Sequence, residues 1–186
     1  MKKLGLCLLL MLLLTGCSED PDPIRRCMEL RTRLLRSSSV SFDADITADY
    51  GDKLRQFSMT CRSDDQGNIA FTVTAPETLS GITGRISDEG GELTFDSVAL
   101  HFELLTDGQL SPVSAPWIFM KTLRSGYLRS ACQQEEGLRL TADDSYEDDA
   151  LTVDILLDAR DLPGQAEIFC DGRRILTLAV RNVVIL

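Results

Sequence analysis

Histidine and tryptophan are nearly absent from this sequence, which has one of each, His101 and Trp117. A Ser or Cys nucleophile needs a base beside it and a third group that orients the base. His101 alternates with Leu100 and Phe102, which places it on the polar face of a strand. We therefore interpret His101 as a solvated surface residue, and we predict no enzyme activity and no cofactor.

The sequence also lacks the spaced motifs that bind phosphate or metal ions. No glycine-rich phosphate loop is present, and no two cysteines form the CxxC unit of a zinc site. An acidic cluster at 143–149 offers carboxylates to a cation, but it lacks the alternating acids, the glycine and the final Glu of an EF-hand loop. We predict a solvated acidic loop there and no metal site.

Basic residues are scarce: 19 Lys and Arg stand against 29 Asp and Glu, a net charge of −10. Binding to the phosphates of nucleic acid requires a basic surface. The composition therefore argues against a nucleic-acid partner. An acidic balance of this size favours solubility at a surface.

No apolar run is long enough to span a bilayer, which takes about 20 residues. The run at 4–14 follows Lys2 and Lys3 and precedes small residues, the layout of a secretory signal peptide. The motif at 14–17, Leu-Thr-Gly-Cys, resembles the bacterial lipobox. That resemblance implies cleavage before Cys17 and a diacylglyceryl thioether on its sulfur.

These features divide the chain into three parts. We predict a lipoprotein signal peptide at 1–16, a lipidated Cys17 with a short tether at 17–23, and one domain at 24–186. The mature protein would be anchored by its N-terminal lipid to the extracytoplasmic face of a cell membrane. Loss of the signal peptide leaves 17 basic residues against 29 acidic ones, a net charge of −12.

Four cysteines remain for the domain after Cys7 leaves with the signal peptide and Cys17 takes the lipid. They can form disulfides in three ways or stay as free buried thiols, which behave as small hydrophobes. Strand parity points two of them toward the core and favours free thiols, but the pairing stays open. The four are Cys27, Cys61, Cys132 and Cys170.

Residues 24–37 have the apolar spacing of an amphipathic helix. Its arginines form the one basic patch in an acidic protein. Arg25, Arg26 and Arg33 would contact anionic lipid headgroups beside the anchor, each contributing about 1 kcal/mol. The alternative is an ordinary first helix with a solvated face.

From Val40 the apolar period changes to two, which is typical of strands with one polar face. Turn-forming residues divide the rest of the chain into about eleven such strands, and Asp171-Gly172 indicates a type I′ hairpin. Six strands precede a short apolar helix and five follow it. The pattern predicts one strongly bent antiparallel sheet wrapped around the helices.

The short helix is expected to begin after Ser114, as the capping residue, and to stop at Gly126. It is apolar on nearly every side and should be buried or should cover a cavity. Trp117, Phe119 and Met120 would therefore serve either as core or as the lid of an acyl-chain pocket. The sequence leaves both open.

Two stretches resemble a known family. The segments 71–82 (FTVTAPETLSGI) and 86–95 (ISDEGGELTF) resemble the strand, proline turn, strand and glycine turn of the LolA/LolB lipoprotein-carrier superfamily. Together with the lipobox, 75–81 and 110–112 are similar to small Gram-positive lipoproteins of the germination lipoprotein GerS type. The resemblance implies an open half-barrel with helices on its concave face.

The fold class expected is therefore α+β, a single curved antiparallel sheet of about eleven strands with helices packed on the concave face. We predict a membrane-anchored, non-enzymatic binding or scaffold module for an envelope protein, recognised through a sheet edge or the convex acidic face. The germination branch implies a cell-wall amidase as that partner. The alternative is a carrier that holds lipid or lipoprotein acyl chains on its concave apolar face.

Overall fold

The computed structural model describes residues 22–51, 53–96, 98–102, 105–106 and 109–186. The predicted signal peptide, Cys17 and residues 18–21 of the predicted tether lie outside the described residues. In chain order the helices and strands are α1 (Pro23–Arg36), β1 (Ser39–Asp49), β2 (Leu54–Asp64), β3 (Ile69–Ala75), β4 (Thr83–Ser87), β5 (Gly90–Phe95), β6 (Val98–Phe102), β7 (Leu105–Thr106), β8 (Gln109–Leu110), α2 (Ala115–Ser125), β9 (Tyr127–Gln134), β10 (Gly137–Asp143), β11 (Thr152–Leu157), β12 (Pro163–Cys170) and β13 (Arg173–Ile185).

Eleven strands form one antiparallel sheet in the order β6-β5-β4-β3-β2-β1-β13-β12-β11-β10-β9. The first and last strands in this order do not pair with each other, so the sheet is open. The predicted α+β class, with an eleven-stranded sheet and helices on its concave face, is confirmed. One correction concerns the segment before α2, where β7 and β8 pair as a separate two-stranded sheet that was not predicted. Strands of two residues are too short to show an alternation of apolar and polar positions.

Helix α1 forms where the sequence predicts it. The Asp22 carboxylate caps the helix by accepting a hydrogen bond from the backbone N–H of Ile24 at 3.1 Å, and Pro23 occupies the first turn, where its missing N–H costs nothing. None of the described helices is long and apolar enough to cross a membrane.

Helix α2 begins after Ser114 and stops at Gly126, as predicted, but it is capped differently. Its last residue is Ser125, and Gly126 follows as the C-cap, as expected. The Ser114 side chain does not cap the helix. Its hydroxyl instead donates to the Ser111 carbonyl at 2.5 Å, within a 3-10 turn that runs directly into α2.

Two arginines hold the helices together, because each one caps the C-terminal end of the other helix. Arg31 of α1 donates to the carbonyls of Leu123 at 3.0 Å and Gly126 at 2.8 Å. Arg124 of α2 is buried and donates to the Leu34 carbonyl in the last turn of α1, at 3.4 Å. The last carbonyls of a helix have no intrahelical partner and carry partial negative charge, so both contacts are favourable.

The core lies between the helices and the facing side of the sheet. In β1 every second side chain, from Val40 to Ala48, is buried, as the alternation predicts. These side chains belong to the same core cluster as the buried apolar side chains of α1 and α2. The largest fully buried members include Leu30, Leu34, Ile46, Met59, Phe119, Ile155 and Leu157.

The four described cysteines are free thiols. Cys27 and Cys61 are buried, Cys170 is half-buried at the end of β12, and Cys132 is exposed on β9. Burial, with a smaller contribution from the nearby Asp43, raises the pKa of Cys61 to about 12. Cys61 therefore serves as a small core side chain and not as a nucleophile.

Candidate functional site

The residues predicted to contact a ligand all lie in α2, and all are buried. Trp117 is 5% exposed, Phe119 0% and Met120 1%. The Phe119 ring packs edge-on against Phe42 of β1, with 5.7 Å between ring centroids, and the Lys121 ammonium lies 5.1 Å from the centre of the Trp117 ring. Phe119 thus joins α2 to the sheet, and a role for these three residues in acyl-chain binding stays a prediction.

The arginines predicted to face a membrane have different surroundings. Arg25 is exposed and pairs with Glu29 at 3.1 Å, one helical turn away. Arg26 is half-buried and donates from Nε to the Asp161 carboxylate at 2.9 Å, which joins α1 to the turn before β12. Arg33 is exposed. Arg26 thus stabilises the fold through its contact with Asp161, whereas Arg25 and Arg33 lie at the surface.

One row of side chains across the sheet shows where the helices stop covering it. Its members pair directly from strand to strand, so they share one face of the sheet. The row runs from β1 to β6 through Phe42, Cys61, Phe71, Gly84, Leu93 and Leu100. Phe42 and Phe71 are 2% and 3% exposed, whereas Leu100 at the far end is 62% exposed. The core therefore extends over β1 to β3 and leaves much of β5 and β6 exposed.

Four apolar side chains share this open end, and we call them the β5–β6 patch: Leu93, Phe95, Val98 and Leu100. Phe95 pairs with Val98, and Leu93 pairs with Leu100, so all four project from the helix-bearing face. Phe95 is 56% exposed and Val98 59% exposed, while Leu93 packs against the core. Sequence reasoning missed this patch, although its signal, apolar residues at every second position, was present in both strands.

Strand β6 adds backbone groups to the patch because it is an edge of the sheet. It pairs with β5 on one side, and no described strand pairs with its other side. In an antiparallel ladder, alternate residues turn their N–H and C=O groups away from the paired neighbour. The free edge therefore offers unpaired backbone donors and acceptors next to exposed apolar side chains.

The polar neighbours of the patch show no catalytic arrangement among the described residues. His101 lies on the opposite face, with Nδ1 3.7 Å from the Glu92 carboxylate, and its side chain is 81% exposed. An open cleft of about 1030 Å³ lies beside it, lined by polar groups such as Arg85 and Asn68 and by Phe102. The Arg85, Glu92 and His101 side chains that line it project from the face of the sheet opposite the patch.

Acidic side chains on the outer face of the sheet are largely paired with neighbours. Asp154 accepts hydrogen bonds from Arg139 and from the Thr141 hydroxyl, the latter at 2.6 Å. Asp45 pairs with Arg181 and accepts from the Ser58 hydroxyl at 2.7 Å. These cross-strand pairs leave the outer face less available to a cationic partner than its composition suggests.

No protein-family model and no curated protein matches this sequence. Solved structures of similar fold do exist. They include a putative outer membrane lipoprotein-sorting protein domain from Vibrio parahaemolyticus, at 7% identity, covering 88% of this chain and 92% of that one, with a TM-score of 0.47. A LolA superfamily protein from Nitrosomonas europaea is 10% identical, covers 87% and 92%, and has a TM-score of 0.46.

The lipoprotein LppX from Mycobacterium tuberculosis is also similar in fold. It is 13% identical, with 89% of this chain and 96% of that chain covered and a TM-score of 0.43. Identities this low indicate likeness of fold alone.

Proposed function

We propose that this chain is a membrane-anchored bacterial lipoprotein that acts as a non-enzymatic binding module for an envelope protein. The partner docks an extended apolar segment on the β5–β6 patch and along the free edge of β6. The observation that carries this proposal is the row from Phe42 to Leu100, which is buried under the helices at one end and exposed at the other. A contiguous exposed apolar surface is typical of a binding site.

The free edge favours a peptide segment as the occupant. An added strand satisfies the unpaired N–H and C=O groups of β6, while pockets for alternate side chains give specificity. An acyl chain cannot form those hydrogen bonds. The outer acidic face, the other surface predicted to bind a partner, is less suitable because its carboxylates at Asp45 and Asp154 already have basic neighbours.

The sequence resemblance to germination lipoproteins suggests a narrower partner, a cell-wall amidase. This suggestion rests on the segments 75–81 and 110–112 and on the lipobox at 14–17.

A second candidate is the binding of acyl chains from a lipid or lipoprotein. It is favoured by one observation: Phe95, Val98 and Leu100 are all apolar and lie on the same face as the core, so an acyl chain on them would continue the covered surface. In this alternative the side chains, and not the edge of β6, would supply the contacts.

A photo-crosslinking amino acid placed at Leu100 in the full chain, in intact cells of the host, tests the proposal. We expect a discrete protein adduct, since this position is exposed and lies on the free edge strand of the patch. Leu54 is the matched control because it is also apolar and 66% exposed, but it lies at the start of β2. A Phe95→Lys substitution should reduce the adduct formed at Leu100.

Lipid adducts alone at Leu100 would favour the acyl-chain candidate over a protein partner. Equal adducts at Leu100 and Leu54, or none at either, would refute both candidates. Native mass spectrometry of the detergent-extracted full chain gives an independent check, since a carrier should retain an acyl species of defined mass.

A further inference from the structure

The apolar residues of α1 form two separate groups that the sequence pattern does not distinguish. Cys27, Leu30 and Leu34 are buried against the sheet and α2. The other three are exposed, at 50% for Ile24, 46% for Met28 and 54% for Leu35. Half of the apolar face of this helix therefore has no cover among the described residues.

The exposed group forms a continuous stripe. Met28 follows Ile24 by four residues, and Leu35 follows Met28 by seven, spacings that return to the same side of a helix. At 1.5 Å per residue the stripe is about 16 Å long, and it lies roughly 100° around the helix axis from the buried group. We call these three side chains the α1 stripe.

Positive charge borders the α1 stripe on both sides. Arg31 lies on the side toward α2, where its guanidinium donates to the Leu123 and Gly126 carbonyls. Arg25 and Arg36 lie on the other side and are exposed. An apolar stripe with arginines along its border is the pattern of a helix that lies in a membrane interface.

The charge of the rest of the chain also favours contact with a membrane through the α1 stripe. The whole sequence has 29 acidic residues against 19 basic ones, so most of its surface is repelled by anionic lipid headgroups. Helix α1 has one exposed carboxylate, Glu29, which pairs with Arg25. The face with the α1 stripe is therefore the one that an anionic bilayer attracts.

The position of the predicted anchor brings this helix to the bilayer. Five residues, 18–22, separate Cys17 from Pro23, the first residue of α1. Even fully extended, such a spacer reaches only about 20 Å. A lipid on Cys17 would therefore hold the N-terminal end of α1 within this distance of the headgroups.

We infer that α1 docks on the surface of an anionic lipid bilayer, with Ile24, Met28 and Leu35 in the boundary between headgroups and acyl chains and with Arg25 and Arg36 at the phosphates. The inference rests on the anchored location in the proposed function and is independent of the partner at the β5–β6 patch. Docking gives the domain a defined orientation, so a single lipid does not leave it free to rotate.

Hydroxyl-radical footprinting of the full lipoprotein in vesicles tests this inference, with intact mass confirming the lipid on Cys17. The protein is compared in phosphatidylcholine vesicles and in vesicles that also contain phosphatidylglycerol. We expect slower modification of Met28 and Leu35 in the anionic vesicles, and recovery in high salt, because screening weakens headgroup attraction. Met28 is a convenient reporter, since Met59 and Met120, the other methionines in the described part of the chain, are buried.

Leu54 and Tyr146 are internal controls, because they are exposed elsewhere and should react equally in both vesicles. Arg25→Gln and Arg36→Gln should each weaken docking by about fivefold, whereas Arg55→Gln on β2 should not. Equal modification of the α1 stripe in both vesicle types would overturn the inference. So would protection of the stripe only after a soluble protein partner is added. Neither outcome bears on crosslinking at Leu100, so the two proposals fail separately.

Discussion

Asp64 shows how one side chain can organise a turn of this sheet. Its carboxylate accepts hydrogen bonds from the backbone N–H groups of Gln66 at 3.1 Å and Asn68 at 2.9 Å, and from the Asn68 side-chain amide at 2.9 Å. Partial burial opposes its ionisation, but these hydrogen bonds outweigh burial and lower the pKa of Asp64 below its usual value. Ionised Asp64 therefore stabilises the turn between β2 and β3.

Replacing Asp64→Asn should destabilise the protein at neutral pH and have little effect in acid. Because the folded-state pKa is lowered, this contribution is fully present above the unfolded pKa of about 4 and is lost as pH falls through the folded-state value. Urea unfolding of both proteins at about pH 7 and about pH 3 measures the difference. Asp65→Asn, at an exposed neighbour, is the control. A difference between wild type and Asp64→Asn that is equal at both pH values would contradict this account.

At the scale of elements, the contact between α1 and α2 depends on reciprocal capping, in which Arg31 and Arg124 each bind carbonyls at the end of the other helix. Sequence patterns predict both helices, because each has its own apolar period and its own start and stop signals. They do not predict this exchange, because the arginines bind backbone carbonyls about 90 positions away. Without Arg31, the Leu123 and Gly126 carbonyls at the end of α2 would lose these donors, while the Leu34 carbonyl of α1 also accepts from the Ser37 hydroxyl at 2.7 Å.

Arg124→Gln should lower the free energy of unfolding by about 2–3 kcal/mol, since a buried charged donor is lost and its acceptors remain. Arg31→Gln should cost less, because that side chain is partly exposed. The double variant should show a coupling of about 1 kcal/mol, because both arginines hold the same helix contact. Denaturant unfolding measures all three, and Arg129→Gln, on the surface of β9, should change stability by less than about 0.5 kcal/mol. Strict additivity would show that the two caps act independently.

Over the whole molecule, α2 is the element that fills the concave face. Its side chains reach β1 through Phe42, and the same helix contacts β12 and β13. The helix thus packs on three adjacent strands in the middle of the sheet, β1, β13 and β12. The predicted acyl-chain pocket in this interior would be lined by Trp117, Phe119 and Met120 of α2.

Trp117→Ala should destabilise the domain by about 3–5 kcal/mol, because it leaves a large cavity in a closed core. Trp117→Phe should cost clearly less. Circular dichroism is the suitable measurement, since the substitution removes the sole tryptophan of the chain. Unchanged stability combined with lost binding of a fluorescent fatty acid would instead support the predicted acyl-chain pocket.

Much of the fold could be predicted because it depends on short-range patterns. Alternation identified the eleven strands of the sheet, and Asp171-Gly172 forms the predicted hairpin turn, with both residues at positive φ. The β7–β8 hairpin escaped prediction because two-residue strands have no measurable period. Ser114 was misassigned as a side-chain cap because the preceding 3-10 turn offers its hydroxyl the Ser111 carbonyl.

By itself, the sequence determined which residues face which side of each strand and helix, since that follows from local periods of 2 and 3.6. Only the tertiary structure decided which of those apolar faces is covered. Phe71 and Leu100 have the same alternation, yet Phe71 lies in the core and Leu100 lies at an open edge. Cys27 and Met28 are neighbours in one helix, yet only the first meets the core. Whether an apolar face is buried depends on elements that are distant in the chain. Local sequence patterns do not indicate how far those elements extend over the sheet.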